Sequence, residues 1–141
     1  MPFKKGFLAR APFPVCWHQQ VAAATLLTDY SLFANPAANT EDYEVLGVDA
    51  IWDVNSTSGT VSIENVAAGD AAASGTVVLT PTLDLSTGAR TAVKGVLSTT
   101  RNDRFIRSGR YLSMVLGGTL TSLVGLTVTV WLQAMRGMRA R

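Results

Sequence analysis

The residues best equipped for chemistry in this chain are four arginines spaced by three: Arg101, Arg104, Arg107 and Arg110, within "TTRNDRFIRSGRYLSM". A guanidinium is a planar fork that matches carboxylates and phosphates. A row of them could therefore grip a nucleic-acid backbone or the acids of a protein. A period of three makes one stripe only on a helix, and Ser108-Gly109 argues instead for a turn between strands. Nucleic-acid sites on β scaffolds also interleave exposed aromatics for stacking, and only Phe105 and Tyr111 stand nearby. The expectation is a charged rim that pairs with carboxylates of a neighbouring subunit, with DNA or RNA as the weaker reading.

Other reaction centres find little to build on. Cys16 and His18 are the only residues of their kinds, too few for a zinc site that needs three or four ligands. As a nucleophile pair they would sit in a proline-bearing segment without the rigid scaffold that catalysis requires. A Ser-His-Asp triad would have to use the same His18. Glu41, Asp42 and Glu44, with Asp49 and Asp53 beyond them, lack the spacing that wraps a calcium ion and read as a solvated acidic edge. No glycine-rich phosphate loop occurs. The expectation is a protein that is not an enzyme, with no metal, no cofactor and no small-molecule substrate.

The distribution of charge says more than its total. The chain has 141 residues, 48% of them hydrophobic and 16% charged, with a net charge of +2. That is the composition of one globular domain and, by its net charge, argues for no particular partner. Between Ala11 and Ala89, however, there is no Lys or Arg, while nine acids fall there. From Arg90 onward nine basic residues face the single Asp103, and Lys4, Lys5 and Arg10 open the chain. Basic residues spread so thinly fit surfaces of opposite sign that meet across copies better than a tail for nucleic acid. A lone cysteine leaves no internal disulfide. Arg10, Pro12, Pro14 and His18 interrupt any apolar stretch of signal-peptide type, and Asn55-Ser56-Thr57 reads as a chance glycosylation match in a turn.

These residues must be positioned by strands. Residues 1–20 show no sustained period and are expected to form an extended arm. Its Phe3, Lys4, Lys5, Phe7, Arg10, Phe13 and Trp17 are candidates for binding a partner, beside the four arginines. Residues 21–135 form the domain and residues 136–141 a basic tail. The first strand is expected over Thr25 to Phe33. In "YEVLGVDAIWDV", Leu46, Val48, Ala50, Trp52 and Val54 alternate with Gly47, Asp49, Ile51 and Asp53, which is the pattern of a strand with one wet face. "TVSIENV" follows with Val61 and Ile63 inward, then "AAGDAAASG" as a loose loop. "TVVLTPTLDL" places Val77, Leu79, Leu83 and Leu85 on one side, with Pro81 marking an edge or bulge. "TAVKGVLST", "RYLSMVL" and "LVGLTVTVWLQ" complete the set. The uncharged run Met114 to Met135 is long enough to cross a bilayer as a helix. Its glycines and threonines, and the alternation of Val124, Leu126, Val128, Val130 and Leu132, make it strand instead, with no membrane partner. About eight short strands without a long helix predict an all-β, antiparallel two-sheet sandwich, jelly-roll-like, with other Greek keys close behind.

The stretch "YEVLGVDAIWDVNSTSGTVSIENV", and the run from "GTVVLTPTLDLSTGARTAVKGVLSTT" through "RSGRYLSMVLGGTLTSLVGLTVTVWLQ", resemble small β-sandwich virion proteins of tailed bacteriophages. That class includes capsid decoration, or cement, proteins and short head fibres. The resemblance covers roughly residues 25–133, lies in the cadence of strands and turns, and brings no catalytic motif with it. It implies a structural protein made in the host cytoplasm and carried on the capsid surface. Such a protein binds the major capsid protein and its own copies, often as a homotrimer, and stabilises the assembled head. Two other readings stay open: a glycan- or receptor-binding module of a tail, fibre or baseplate, which predicts an aromatic patch around Trp52 or Trp131, and a small nucleic-acid-binding protein.

Overall fold

Alternation of apolar and polar residues decides the architecture. In Thr127–Ala134, Val128, Val130 and Leu132 are fully buried, while Thr127, Thr129 and Trp131 occupy the opposite face. In Thr60–Ala67, Val61 and Ile63 are likewise buried. Each such strand has one face that must be covered by another sheet. The computed structural model describes residues 10–135. They form ten strands: β1 Phe13–His18, β2 Asp29–Asn35, β3 Tyr43–Ile51, β4 Thr60–Ala67, β5 Thr76–Val77, β6 Leu83–Asp84, β7 Val93–Lys94, β8 Phe105–Ile106, β9 Arg110–Gly117 and β10 Thr127–Ala134.

One sheet runs β1-β10-β3-β7, with β8 also on β3; the other runs β2-β9-β4-β5, with β6 also on β4. Every pairing is antiparallel. The outer row of each sheet is thus split into two short pieces, and ten strands fill eight rows. Successive rows alternate between the sheets except where β4 turns into β5, which is the double Greek key of a jelly roll. The expected all-β sandwich is what the chain forms. Trp52, Ile63, Leu79, Leu85, Met114 and Leu126 are among the side chains that fill it. Truncating one of the largest to alanine costs on the order of 3–5 kcal/mol.

Several expected orientations are corrected by register. Leu46 was expected inward and is 39% exposed, because Trp131 pairs with Gly47 and Leu132 with Val45. Leu46 is the extra residue of a β-bulge, and Val45 takes its place in the core. Val54 and Val124, also expected inward, are exposed partners in an isolated bridge beyond the strand ends. In the Pro81 segment Val78 rather than Val77 is buried. The strand expected over Thr25 to Phe33 begins at Asp29, after a 3-10 turn at Ala23–Thr25. The uncharged run expected as strand passes from β9 through a turn into β10. Gly118 lies in the left-handed region there, and a Cβ on it would collide with the Ser58 carbonyl. No helix among the described residues is long and apolar enough to cross a membrane.

The expected arm is partly strand. Phe13, Val15 and Trp17 alternate with Pro14, Cys16 and His18, and β1 pairs along β10 from Phe13↔Leu132 to His18↔Thr127. The prolines obscure this period, but at an edge a proline forfeits no ladder bond that the sheet needs. Phe13 meets Phe33 and Tyr43 at ring-centroid distances of 6.1 and 5.9 Å, and Trp17 meets Tyr30 at 4.8 Å. These rings seal the side of the sandwich where β1 and β2 are the free edges. The opposite side is closed by backbone, with Thr80 N–H donating to Val96 O (2.9 Å) and Ser98 N–H to Val78 O (2.7 Å).

The loop expected to be loose is a strap. Residues 68–75 lie on the outer face of the β2 sheet, where Tyr111 Oη donates to Asp70 O (2.7 Å) and Ser113 Oγ to Ala72 O (3.0 Å). The strap buries Val66, Ser113 and Glu64, the last only 6% exposed. Burial pushes the Glu64 carboxyl above its ordinary value of 4.5, a rise only partly offset by a backbone hydrogen bond from Gly75. The folded state therefore holds its proton to higher pH than the unfolded chain does, and stability falls as pH rises from about 4.5 through the raised value. Glu64→Gln should raise the urea midpoint relative to the parent at pH 7, with the difference closing below about pH 4.5. Equal midpoints at pH 7 would show that the strap leaves this carboxylate solvated.

Candidate functional site

The arginine segment crosses one end of the sandwich, and two buried asparagines hold it there. Asn35, the last residue of β2, and Asn65, in β4, flank β9 on either side and are nearly inaccessible. Asn35 Nδ2 donates to Ile106 O (2.8 Å) and Glu41 O (2.9 Å). Asn65 Nδ2 donates to Phe105 O (2.6 Å) and Asp103 O (3.2 Å). Both amides thus reach from the β2 sheet to the backbone of β8 and of the segments that lead into β3 and β8, satisfying carbonyls there. Sequence reasoning missed both residues. Asn65 falls in the same inward phase as Val61 and Ile63, a signal that was there to read. Asn35 precedes Pro36, a pair whose composition is that of any turn.

With the backbone fixed, the four guanidinia divide. Arg110 is engaged inside the chain: Nε donates to Asn65 Oδ1 (2.8 Å) and Nη2 to Asn65 O (3.0 Å). Arg104 is three-quarters buried, with Nη1 3.9 Å from Glu44 Oε2, and its Nε is buried without an acceptor among the described residues. Arg101 and Arg107 are exposed. Their guanidinium carbons stand 5.0 and 6.0 Å from the centroid of the Phe105 ring. Arg107 Nη2 donates to Asn102 Oδ1 (3.3 Å), and Arg101 Nε lies 3.7 Å from Glu44 Oε2. Of the four, Arg101 and Arg107 are thus exposed, while Arg104 and Arg110 are engaged within the chain. Cation–π contacts of this exposed kind are worth about 0.5–1 kcal/mol and restrain the side chains without neutralising them.

The acidic edge is also not the solvated one expected. Glu41 takes both prongs of Arg10, at 2.7 and 3.2 Å. Asp42 and Glu44 are largely buried. Cys16 and His18 lie on the outer face of β1, each tied to β10. Cys16 Sγ is 3.5 Å from Thr129 Oγ1, and His18 Nδ1 is 2.7 Å from Thr127 Oγ1. Asn55, in the glycosylation-like triplet, accepts from Trp52 Nε1 (2.9 Å) and Ala89 N–H (3.0 Å). Among the described residues no three His, Cys, Asp or Glu side chains converge where a metal ion could sit.

Recesses lie at the far end of the sandwich and on one of its faces. A cavity of about 680 Å³ at the opposite end is lined by residues 18–24, three of them alanine, together with residues 120–125. Its buried Gln19 already bonds Val21 O, Leu123 O and Leu126 N–H. A groove of about 400 Å³ runs along the outer face of the β1 sheet between Pro12, Leu46, Gly47, Asp49, Lys94 and Trp131. Gly47 is opposite Trp131 in register and has no side chain, so the strip beside the half-exposed indole is recessed.

No family model matches the chain, and no curated protein matches its sequence. A chain of the cyanophage Pam1 capsid asymmetric unit is similar at 12% identity, over 95% of this chain and 90% of that one, with a TM-score of 0.48.

The asparagine clamp carries a stability signature. Asn65→Ala orphans the carbonyls of Phe105 and Asp103 and takes the side-chain acceptor from Arg110 Nε, leaving its bond to the backbone carbonyl, and should cost about 2–3 kcal/mol. Arg107→Ala, on the exposed side of the same segment, should change stability by less than about 0.5 kcal/mol. Urea unfolding of the two variants checks the contrast, and equal losses would refute it.

Proposed function

We propose that the chain is a non-enzymatic structural protein of a tailed-phage virion. In this reading it is a decoration or cement protein on the capsid surface that binds the major capsid protein and steadies the assembled head. The observation that supports this best is the pair Arg101 and Arg107, displayed around Phe105 on a backbone fixed by Asn35 and Asn65. Guanidinia restrained before contact lose less freedom on binding, and their fork suits the carboxylates of a protein partner. The resemblance of the strand-and-turn cadence to small virion proteins points the same way. Binding two shell subunits through one body makes the second contact intramolecular, so modest interfaces add up to a firm clamp. A homotrimer, the oligomer that the resemblance implies, would multiply this effect.

The other readings draw less support. A glycan module needs clustered aromatics, whereas Trp52 is fully buried and Trp131 has no ring partner among the described residues. Nucleic acid needs a cationic face, whereas all ten acids are described residues and Lys4, Lys5, Arg136, Arg139 and Arg141 are not. The described body is therefore anionic. Of the expected binding residues, Phe3, Lys4, Lys5 and Phe7 lie outside the described residues, and Phe13 and Trp17 face inward.

Heads assembled with Arg101→Ala/Arg107→Ala should carry about tenfold less of the protein than parent heads at equal input. Parent occupancy should fall as salt is raised. Parental occupancy on the variant heads, indifferent to salt, would remove the arginine end from the shell contact.

A further inference from the structure

The two outer faces of the sandwich are treated differently by the chain. That of the β2 sheet lies under the strap of residues 68–75. That of the β1 sheet has no such cover among the described residues, and it exposes Trp131 (38%) and Leu46 (39%) at the groove. An exposed tryptophan beside a bulged leucine and a proline is apolar area that solvent disfavours.

We propose that this groove receives residues 1–9 of a second copy of the chain. The direction of the chain argues for it first. β1 runs on to Arg10, whose guanidinium is forked onto Glu41. The Arg10 carbonyl accepts Gln133 Nε2 (2.5 Å) at the C-terminal end of β10. Arg10, from which residues 1–9 lead off, is thus tied at the end of the sandwich. Nine residues reach at most about 30 Å, enough to meet a neighbouring molecule.

Chemistry argues for it second. "MPFKKGFLA" brings Phe3, Phe7 and Leu8 together with Lys4 and Lys5. The groove offers Trp131, Leu46 and Pro12 to the apolar groups, and the indole to a lysine. Lys94, which also lines it, is opposite Asp49 in register and adds no unbalanced charge. The anionic body and cationic segment attract one another between copies. A groove of this volume suits a few side chains of a short segment rather than a folded domain. With segment and groove at different places on each copy, the contact closes as a reciprocal pair or as a ring. The inference concerns self-association alone and holds whether or not the partner proposed above is a shell.

The test uses the full chain in solution, without particles, by sedimentation velocity. The parent should self-associate. Phe3→Ser/Phe7→Ser, which disables the segment, and Trp131→Ser, which disables the groove, should each weaken association by at least about tenfold. An equimolar mixture of the two should form mixed pairs, because an intact segment then meets an intact groove on the other copy. Leu46→Glu repeats the groove lesion at a bulged, half-exposed site, in case the tryptophan variant folds poorly. A parent that stays monomeric, variants that associate like the parent, or a mixture without mixed pairs would each overturn the proposal; the last would return the segment to its own groove.

Discussion

An apolar layer between two sheets stays dry only if its open sides are stopped, and each side of this sandwich is stopped by different chemistry. Along β1 and β2 the stopper is a set of aromatic rings, Phe13, Phe33 and Tyr43, then Trp17 and Tyr30. Along the outer rows it is backbone, with residues 78–80 bonded to residues 96–98. At the arginine end it is two asparagine amides. At the far end Trp52, its indole N–H on Asn55, and Gln19, bonded to residues 123 and 126, close the gap. Polar closures of this kind are expensive if half made, because a carbonyl buried without a donor costs as much as a lost hydrogen bond. The surface chemistry available for binding is what remains after these closures are complete.

Charge follows from that priority. A row of arginines at a spacing of three looks like one device, yet only its backbone is one device. Arg110 serves the closure, Arg104 lies against the inner carboxylate of Glu44, and Arg101 and Arg107 stay in water because the turn at Arg101–Arg104 leaves them outside. The acids divide in the same way, Glu41 and Glu44 engaging cations of their own chain while Asp53 stays in water.

Strand identity was legible wherever a strand has one dry face and one wet face. β4, β9 and β10 read directly from alternating Val, Ile, Leu and Met, and the eight-row sandwich followed. Legibility failed where another constraint overrode the period. A bulge in β3 exchanged Leu46 for Val45, a register event that leaves no mark in composition. Prolines masked the alternation of β1. The alanine-rich loop gave no sign of folding back, since its anchors Tyr111 and Ser113 lie some forty residues away and bond its backbone rather than its side chains. The arginines were legible as a feature but not as two classes, because which guanidinium is displayed depends on partners in β4 and before β3.

Both ends of the described chain leave from one pole. Arg10 is bonded to Gln133 and Met135 N–H to Asp42 O, while residues 18–24 and 120–125 form loops at the other. A body with its two leads side by side can be spliced into a longer polypeptide as a lateral outgrowth. It can also be re-opened at a far-pole loop after the leads are joined, with its path through the sheets unchanged. Such a body has a built-in polarity: both leads leave by one pole, and the loops whose Gln19 and Leu123 close the apolar layer lie at the other.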